Sequence, residues 1–159
     1  MTPEPVRVAL IGCGRISQVH IHAVQHEPRA RLVGVMDAVP AAAQAAAEAC
    51  GVPAFTDLEA LLAAAEPQAV IVCTPPSTHR SVAEAALLAG AHVLCEKPLT
   101  ISLEDAAGLH QAADRAGRVL MMASKFRYVS DVVKARGILK SGLLGEPGRF
   151  FLGALALGR

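Results

Sequence analysis

Five short runs rich in Val, Ile and Leu recur along the chain: VRVALI (6–11), RLVGVMD (31–37), AVIVCT (69–74), HVLCE (92–96) and RVLMMAS (118–124). Ala-, Glu- and Gln-rich stretches of helical length separate them. Strands that are apolar on both faces belong in a sheet covered on both sides, and a helix-length connection between neighbours is what a parallel sheet requires. The rhythm predicts an α/β fold, a doubly wound parallel sheet of the Rossmann type. The stretches between the runs carry their own punctuation. Pro40 suits the first turn of PAAAQAAAEAC, which stops at Gly51, and Thr56 with Glu59 makes a capping-box pattern before the next helix. Gly90 closes SVAEAALLA, and Ser102 with Asp105 opens a helix that ends at Gly117.

After Ser124 the pattern changes. The segment from Lys125 holds four of the five Phe and Tyr residues, a helix-like stretch of about 13 residues, a glycine-rich turn and the apolar run RFFLGALAL. That run reads as a strand with nothing after it to pair with or cover it. The expectation is a dinucleotide-binding domain at 1–124, followed at 125–159 by the beginning of a second α/β domain that is incomplete. A strand added to the first sheet, or a frayed tail, is the alternative.

A chain of 159 residues suffices for one domain with a core that buries roughly 70% of its unfolded surface, and is short for two. Fifteen basic and 14 acidic side chains leave a formal charge of +1, so no field gathers nucleic acid or anionic lipid. No apolar stretch reaches the roughly 20 residues of a membrane span. A hydrophobic fraction of 53% with only 18% charged residues exceeds what one core requires, and the excess points to a surface that faces a partner or a missing segment, with a homo-oligomer expected. Cys13, Cys50, Cys73 and Cys95 lack metal-ligand spacing and fall mostly in strand-like runs. They read as small buried hydrophobes of a cytoplasmic protein. His22 and His26 have the spacing of a ligand pair, but no third ligand is evident and no metal is expected.

The first run leads into Gly12-Cys13-Gly14-Arg15-Ile16-Ser17, a dinucleotide-binding turn whose third glycine is a serine. The first glycine turns the chain out of the strand and the second lets backbone amides approach a pyrophosphate. The third serves the packing of helix on strand, so Ser17 replaces the one least tied to ligand, at the cost of a slightly displaced helix. Gly12, Gly14, Arg15 and Ile16 then form an anion site at a helix N-terminus. Asp37 ends the second run about 23 residues after Gly14, where an acid accepts hydrogen bonds from the adenosine ribose hydroxyls. Its charge repels a 2′-phosphate and no arginine follows at once, so NAD is preferred to NADP. A methyltransferase would need a denser glycine run with an acid before it. His20 reads as packing near the glycine turn.

Two further motifs extend the pattern. TPPSTH (74–79) and CEKPLT (95–100) each follow a strand-like run, and KFR (125–127) comes after the last of them. In order and spacing, the glycine turn, Asp37 and these motifs resemble the Gfo/Idh/MocA family of NAD(P)-dependent oxidoreductases, which act mostly on sugars and cyclitols. The resemblance covers nearly the whole chain. It implies that Thr74, Pro75, Thr78 and His79 line the nicotinamide-ribose side of the cofactor groove, although backbone contacts at a helix start are an equal reading of His79. It implies that Lys97 sits beside the nicotinamide and the reacting hydroxyl, positioned by Glu96 through a hydrogen bond or ion pair, with Pro98 fixing the backbone, through a cis bond in one reading. Arg127 matches a position near the family's active site, whereas Lys125 departs from the commoner asparagine.

The family's acid–base histidine and its aspartate partner lie in the second domain. Residues 1–159 are therefore expected to bind NAD as the nucleotide-binding part of a sugar, sugar-derivative or cyclitol dehydrogenase, without turnover of their own. An NAD(H)-sensing module that dimerises through RFFLGALAL, and an enzyme completed by a second polypeptide, are the other readings.

Overall fold

The computed structural model describes residues 3–146. The chain divides between Ala123 and Ser124 into two compact units. In the first, β1 (Val6–Ile11), β2 (Ala30–Met36), β3 (Ala54–Phe55), β4 (Ala69–Val72), β5 (His92–Cys95) and β6 (Leu120–Met122) alternate with α1 (Ser17–His26), α2 (Pro40–Cys50), α3 (Leu58–Ala65), α4 (His79–Leu88) and α5 (Leu103–Ala116). Every strand pair is parallel, and the order across the sheet is β3-β2-β1-β4-β5-β6. This is the doubly wound Rossmann order, whose direction reverses between β1 and β4.

Each of the five apolar runs holds a strand. Alternation sends Ala9 and Ile11 of β1 and Val70 and Val72 of β4 into one core, with Leu61, Leu87 and Leu109 from α3, α4 and α5. Val8, Leu10 and Ile71 enter the other, with Ile21 and Val24 of α1 and Ala46 and Ala47 of α2. The alanines of α2 let that helix lie close to the sheet, and burying the Val, Leu and Ile side chains stabilises the unit by about 1.5–3 kcal/mol each. Cys73 and Cys95 are buried, Cys13 and Cys50 half-buried, and all four thiols are free.

Pro40 stands in the first turn of α2 and Gly51 ends it at φ +67°. Ser102 accepts from the Asp105 N–H, and Gly117 closes α5 at φ +61°. One local expectation needs correction. The cap of α3 is Asp57, whose carboxylate accepts from the Ala60 N–H at 2.8 Å, in place of the Thr56–Glu59 box. Asp57 is extended and stands directly before the first helical residue, where its charge also meets the positive end of the helix dipole. The strand β3 is a further element: two residues are too few to carry a period, and pairing with β2 alone defines it.

The second unit contains a 3-10 turn at Lys125–Tyr128 and α6 (Ser130–Lys140). The strand expected at RFFLGALAL lies outside the described residues.

Candidate functional site

The sheet ladder continues past the carboxyl ends of its strands. Gly12 N–H donates to Met36 O at 2.8 Å, Cys73 N–H to Ile11 O at 2.7 Å and Glu96 N–H to Val72 O at 2.9 Å, so the loops above β1, β4 and β5 start from fixed positions. Between them, at the switch point, opens a cleft of about 680 Å³. Its floor and sides are apolar, from Ile11, Met36, Ile16 and Val82, and the glycine turn, Asp37 and the 74–78 turn form its rim.

The two glycines differ in what they permit. Gly12 has φ +92°, and a Cβ there would lie 2.7 Å from the Cys73 carbonyl carbon and from the Thr74 nitrogen. Only glycine lets β1's end pass this close to β4's. A Cβ on Gly14 would meet nothing within 4 Å, so that glycine leaves open space above the turn. Ser17 is fully buried, and its hydroxyl donates to the Gly14 carbonyl. No side chain caps α1, which begins from Ile16, and the N–H groups of Arg15 and Ile16 find no acceptor among the described residues.

Asp37 is held by its neighbours. One carboxylate oxygen accepts from Cys13 N–H at 2.7 Å and the other from Val39 N–H at 2.8 Å. Each oxygen keeps acceptor capacity for a further donor, and the carboxylate cannot swing away from the glycine turn without breaking both bonds.

Thr74 and Pro75 open the next segment. Thr74 lines the cleft, and its hydroxyl is buried without a hydrogen-bond partner, a state that costs about 1–3 kcal/mol. Pro75 O accepts from both the N–H and the hydroxyl of Thr78, each at 2.9 Å. His79 does not line the cleft. It is 1% exposed, and its ring lies 2.8 Å from Thr74 O by Nε2 and 2.8 Å from Pro98 O by Nδ1. The ring thus lies between the turn after β4 and the turn after β5.

Lys97 is exposed, and the Lys97–Pro98 bond is cis. The contact from Glu96 to Lys97 is a hydrogen bond from the Lys97 N–H at 3.0 Å, not an ion pair with its ammonium. The other Glu96 oxygen lies 2.9 Å from His20 Nε2. Burial pushes the Glu96 carboxyl up, but the hydrogen bonds from His20 and the Lys97 N–H, with the positive charge of both side chains, outweigh it and hold the group below the usual carboxylate range. His20 is thus a partner of the EKP turn, beyond the packing role expected from its position. Nothing local could have signalled a contact between residues 76 positions apart. Arg127 is exposed in the 3-10 turn of the second unit, where its N–H donates to Ser124 O at 3.1 Å. His22 and His26 stack with ring centroids 4.0 Å apart. Among the described residues, no three His, Cys, Asp or Glu side chains gather as a metal site.

These residues fit a dinucleotide. Gly14 with the open space above it, Arg15 and Ile16 with their acceptor-free N–H groups, Asp37 with its fixed carboxylate and Thr74 all line one apolar cleft.

Comparison with known proteins agrees. An inositol 2-dehydrogenase of Rhizobium meliloti (strain 1021) is 38% identical over 89% of this chain and 42% of its own length. A D-glucoside 3-dehydrogenase of Escherichia coli (strain K12) is 37% identical over 92% of this chain and 42% of its own. The crystal structure of the WlbA dehydrogenase from Bordetella pertussis, in complex with NADH and UDP-GlcNAcA, superposes with a TM-score of 0.86 at 36% identity, over 91% of this chain and 42% of that one. The chain thus spans about 42% of the length of these relatives. The sequence pattern of the oxidoreductase family with an NAD-binding Rossmann fold matches residues 6–124, and the chain belongs to this Gfo/Idh/MocA family.

Proposed function

We propose that this chain is the NAD(H)-binding part of a dehydrogenase that oxidises a hydroxyl of a sugar, sugar derivative or cyclitol, with NAD preferred to NADP. The observation that carries the proposal is the convergence, in one apolar cleft at the switch point, of the open glycine turn, the pinned Asp37 carboxylate and the turn from Thr74 to Thr78. Gly12, Gly14, Arg15 and Ile16 would hold the pyrophosphate and Asp37 the adenosine ribose. Thr74, Pro75 and Thr78 would face the nicotinamide ribose, and His79 would act by holding the carbonyls of Thr74 and Pro98. When bound, the nicotinamide supplies the hydride-accepting carbon.

Lys97 would place its ammonium beside the substrate oxygen, where it stabilises developing negative charge. Glu96 fixes the main chain of that turn. Arg127 joins the proposal on family resemblance alone. The inositol and glucoside dehydrogenases among its relatives support the substrate class. The apolar excess supports a homo-oligomer, and the four free thiols support a reducing, cytoplasmic setting.

The test is a fluorescence titration of residues 1–159 with NADH and NADPH. NADH is expected to bind, with NADPH about tenfold or more weaker, and Asp37→Ala should weaken NADH and narrow that gap, because the acceptor of the ribose hydroxyls and the charge opposing a 2′-phosphate are one group. Failure to bind NADH, or a preference for NADPH, would overturn the proposal.

A further inference from the structure

Ser17 occupies the place of the third glycine, yet it does more than fit. Its side chain is fully buried, and a buried hydroxyl needs a partner. That partner is the Gly14 carbonyl, which also accepts from the Ser17 N–H at 3.1 Å. Two donors from one residue turn this carbonyl back toward the start of α1. In a trans peptide the C=O and the following N–H point in opposite directions. The Arg15 N–H is then directed away from α1, on the side of the cleft that Gly14, Arg15 and Ile16 line, and it has no acceptor among the described residues.

We infer that Ser17 is a positioning residue for pyrophosphate binding: by gripping the Gly14 carbonyl it sets the Gly14–Arg15 peptide so that the Arg15 N–H faces the diphosphate of the bound cofactor. A glycine at this position would leave the carbonyl one N–H donor and the peptide freer to rotate. The serine trades closest helix–strand packing for a fixed donor direction. This inference rests on the NAD-binding reading of the cleft.

The test compares ADP-ribose, which carries the diphosphate, with adenosine, which reaches only the Asp37 side. Ligands are titrated against residues 1–159, and urea unfolding checks that each variant is folded. Ser17→Ala keeps the Cβ and removes only the hydroxyl, while Ser17→Gly restores the third glycine of the dinucleotide-binding turn. Both are expected to weaken ADP-ribose by about three- to tenfold, the worth of one net hydrogen bond, and to leave adenosine unchanged. In the wild type, the Arg15 amide proton resonance should move downfield on saturation with ADP-ribose and stay in place with adenosine.

Unchanged ADP-ribose affinity in both variants, equal weakening of adenosine, or a stationary Arg15 resonance in a wild type that binds would each overturn the role of Ser17. A wild type that binds neither ligand would instead overturn the NAD reading.

Discussion

At Gly12 an added Cβ meets backbone 2.7 Å away, and backbone at two strand ends cannot step aside as a flexible side chain can. The positive φ adds strain of its own. Gly12→Ala should therefore cost stability, about 2–4 kcal/mol by denaturant unfolding, as well as cofactor affinity. Gly14→Ala meets open space and no positive φ, so its unfolding midpoint should stay within about 0.5 kcal/mol of wild type while NADH binding falls at least about tenfold. Equal destabilisation by both substitutions would refute this division of labour. That both positions are glycine was legible in the sequence. That one glycine serves strand packing and the other an empty space was not, because only the folded chain brings Cys73 and Thr74 against Gly12.

The connections among elements run through two side-chain ties. His79, at the start of α4, joins Thr74 O to Pro98 O. His79→Leu removes the ring N–H that one of these carbonyls accepts and the ring packed between the two turns, and a loss of about 1–3 kcal/mol is expected, with faster amide exchange confined to the turns after β4 and β5. Unchanged exchange there would show that the ring does not hold the turns. Glu96 joins α1, through His20, to the EKP turn after β5. Its folded-state pKa lies below the ordinary 4.5, so it contributes stability that is present above about pH 4.5 and lost as pH falls through the lowered value. Glu96→Gln should be less stable than wild type at pH 7 and lose less on acidification, a difference read from urea midpoints at pH 7 and pH 3. Parallel losses would overturn it. Glu27, lowered to about 2 chiefly by its hydrogen bonds from Arg29, sits on the same acid limb, but it is exposed and screened and is common to both proteins. The helix bounds at Gly51 and Gly117 could be read locally, whereas the Asp57 cap was missed because Thr56 and Glu59 also fit a capping pattern one residue earlier.

Over the whole molecule the two cores place the cysteines. Burial, aided by the charge of Glu96, pushes the Cys73 and Cys95 thiols up to about 12; burial and the charge of Asp37 push Cys13 up to about 11; burial raises Cys50. The thiolate is the reactive form, so iodoacetamide at pH 8 should label the native protein slowly, Cys73 and Cys95 last, and all four rapidly in urea. Mass mapping of the labelled cysteines reads the order, and fast native labelling of Cys73 or Cys95 would contradict the cores.

The alternation of apolar runs and helices, the glycine turn and the acid at the end of the second run are short-range patterns, and periodicity and spacing along one chain suffice to determine them. Which strand lies beside which, and so the pinning of Asp37 by Cys13, the pairing of His20 with Glu96 and the unpaired hydroxyl of Thr74, was decided only in the tertiary structure, because contacts between distant segments depend on sheet order, which no local pattern records.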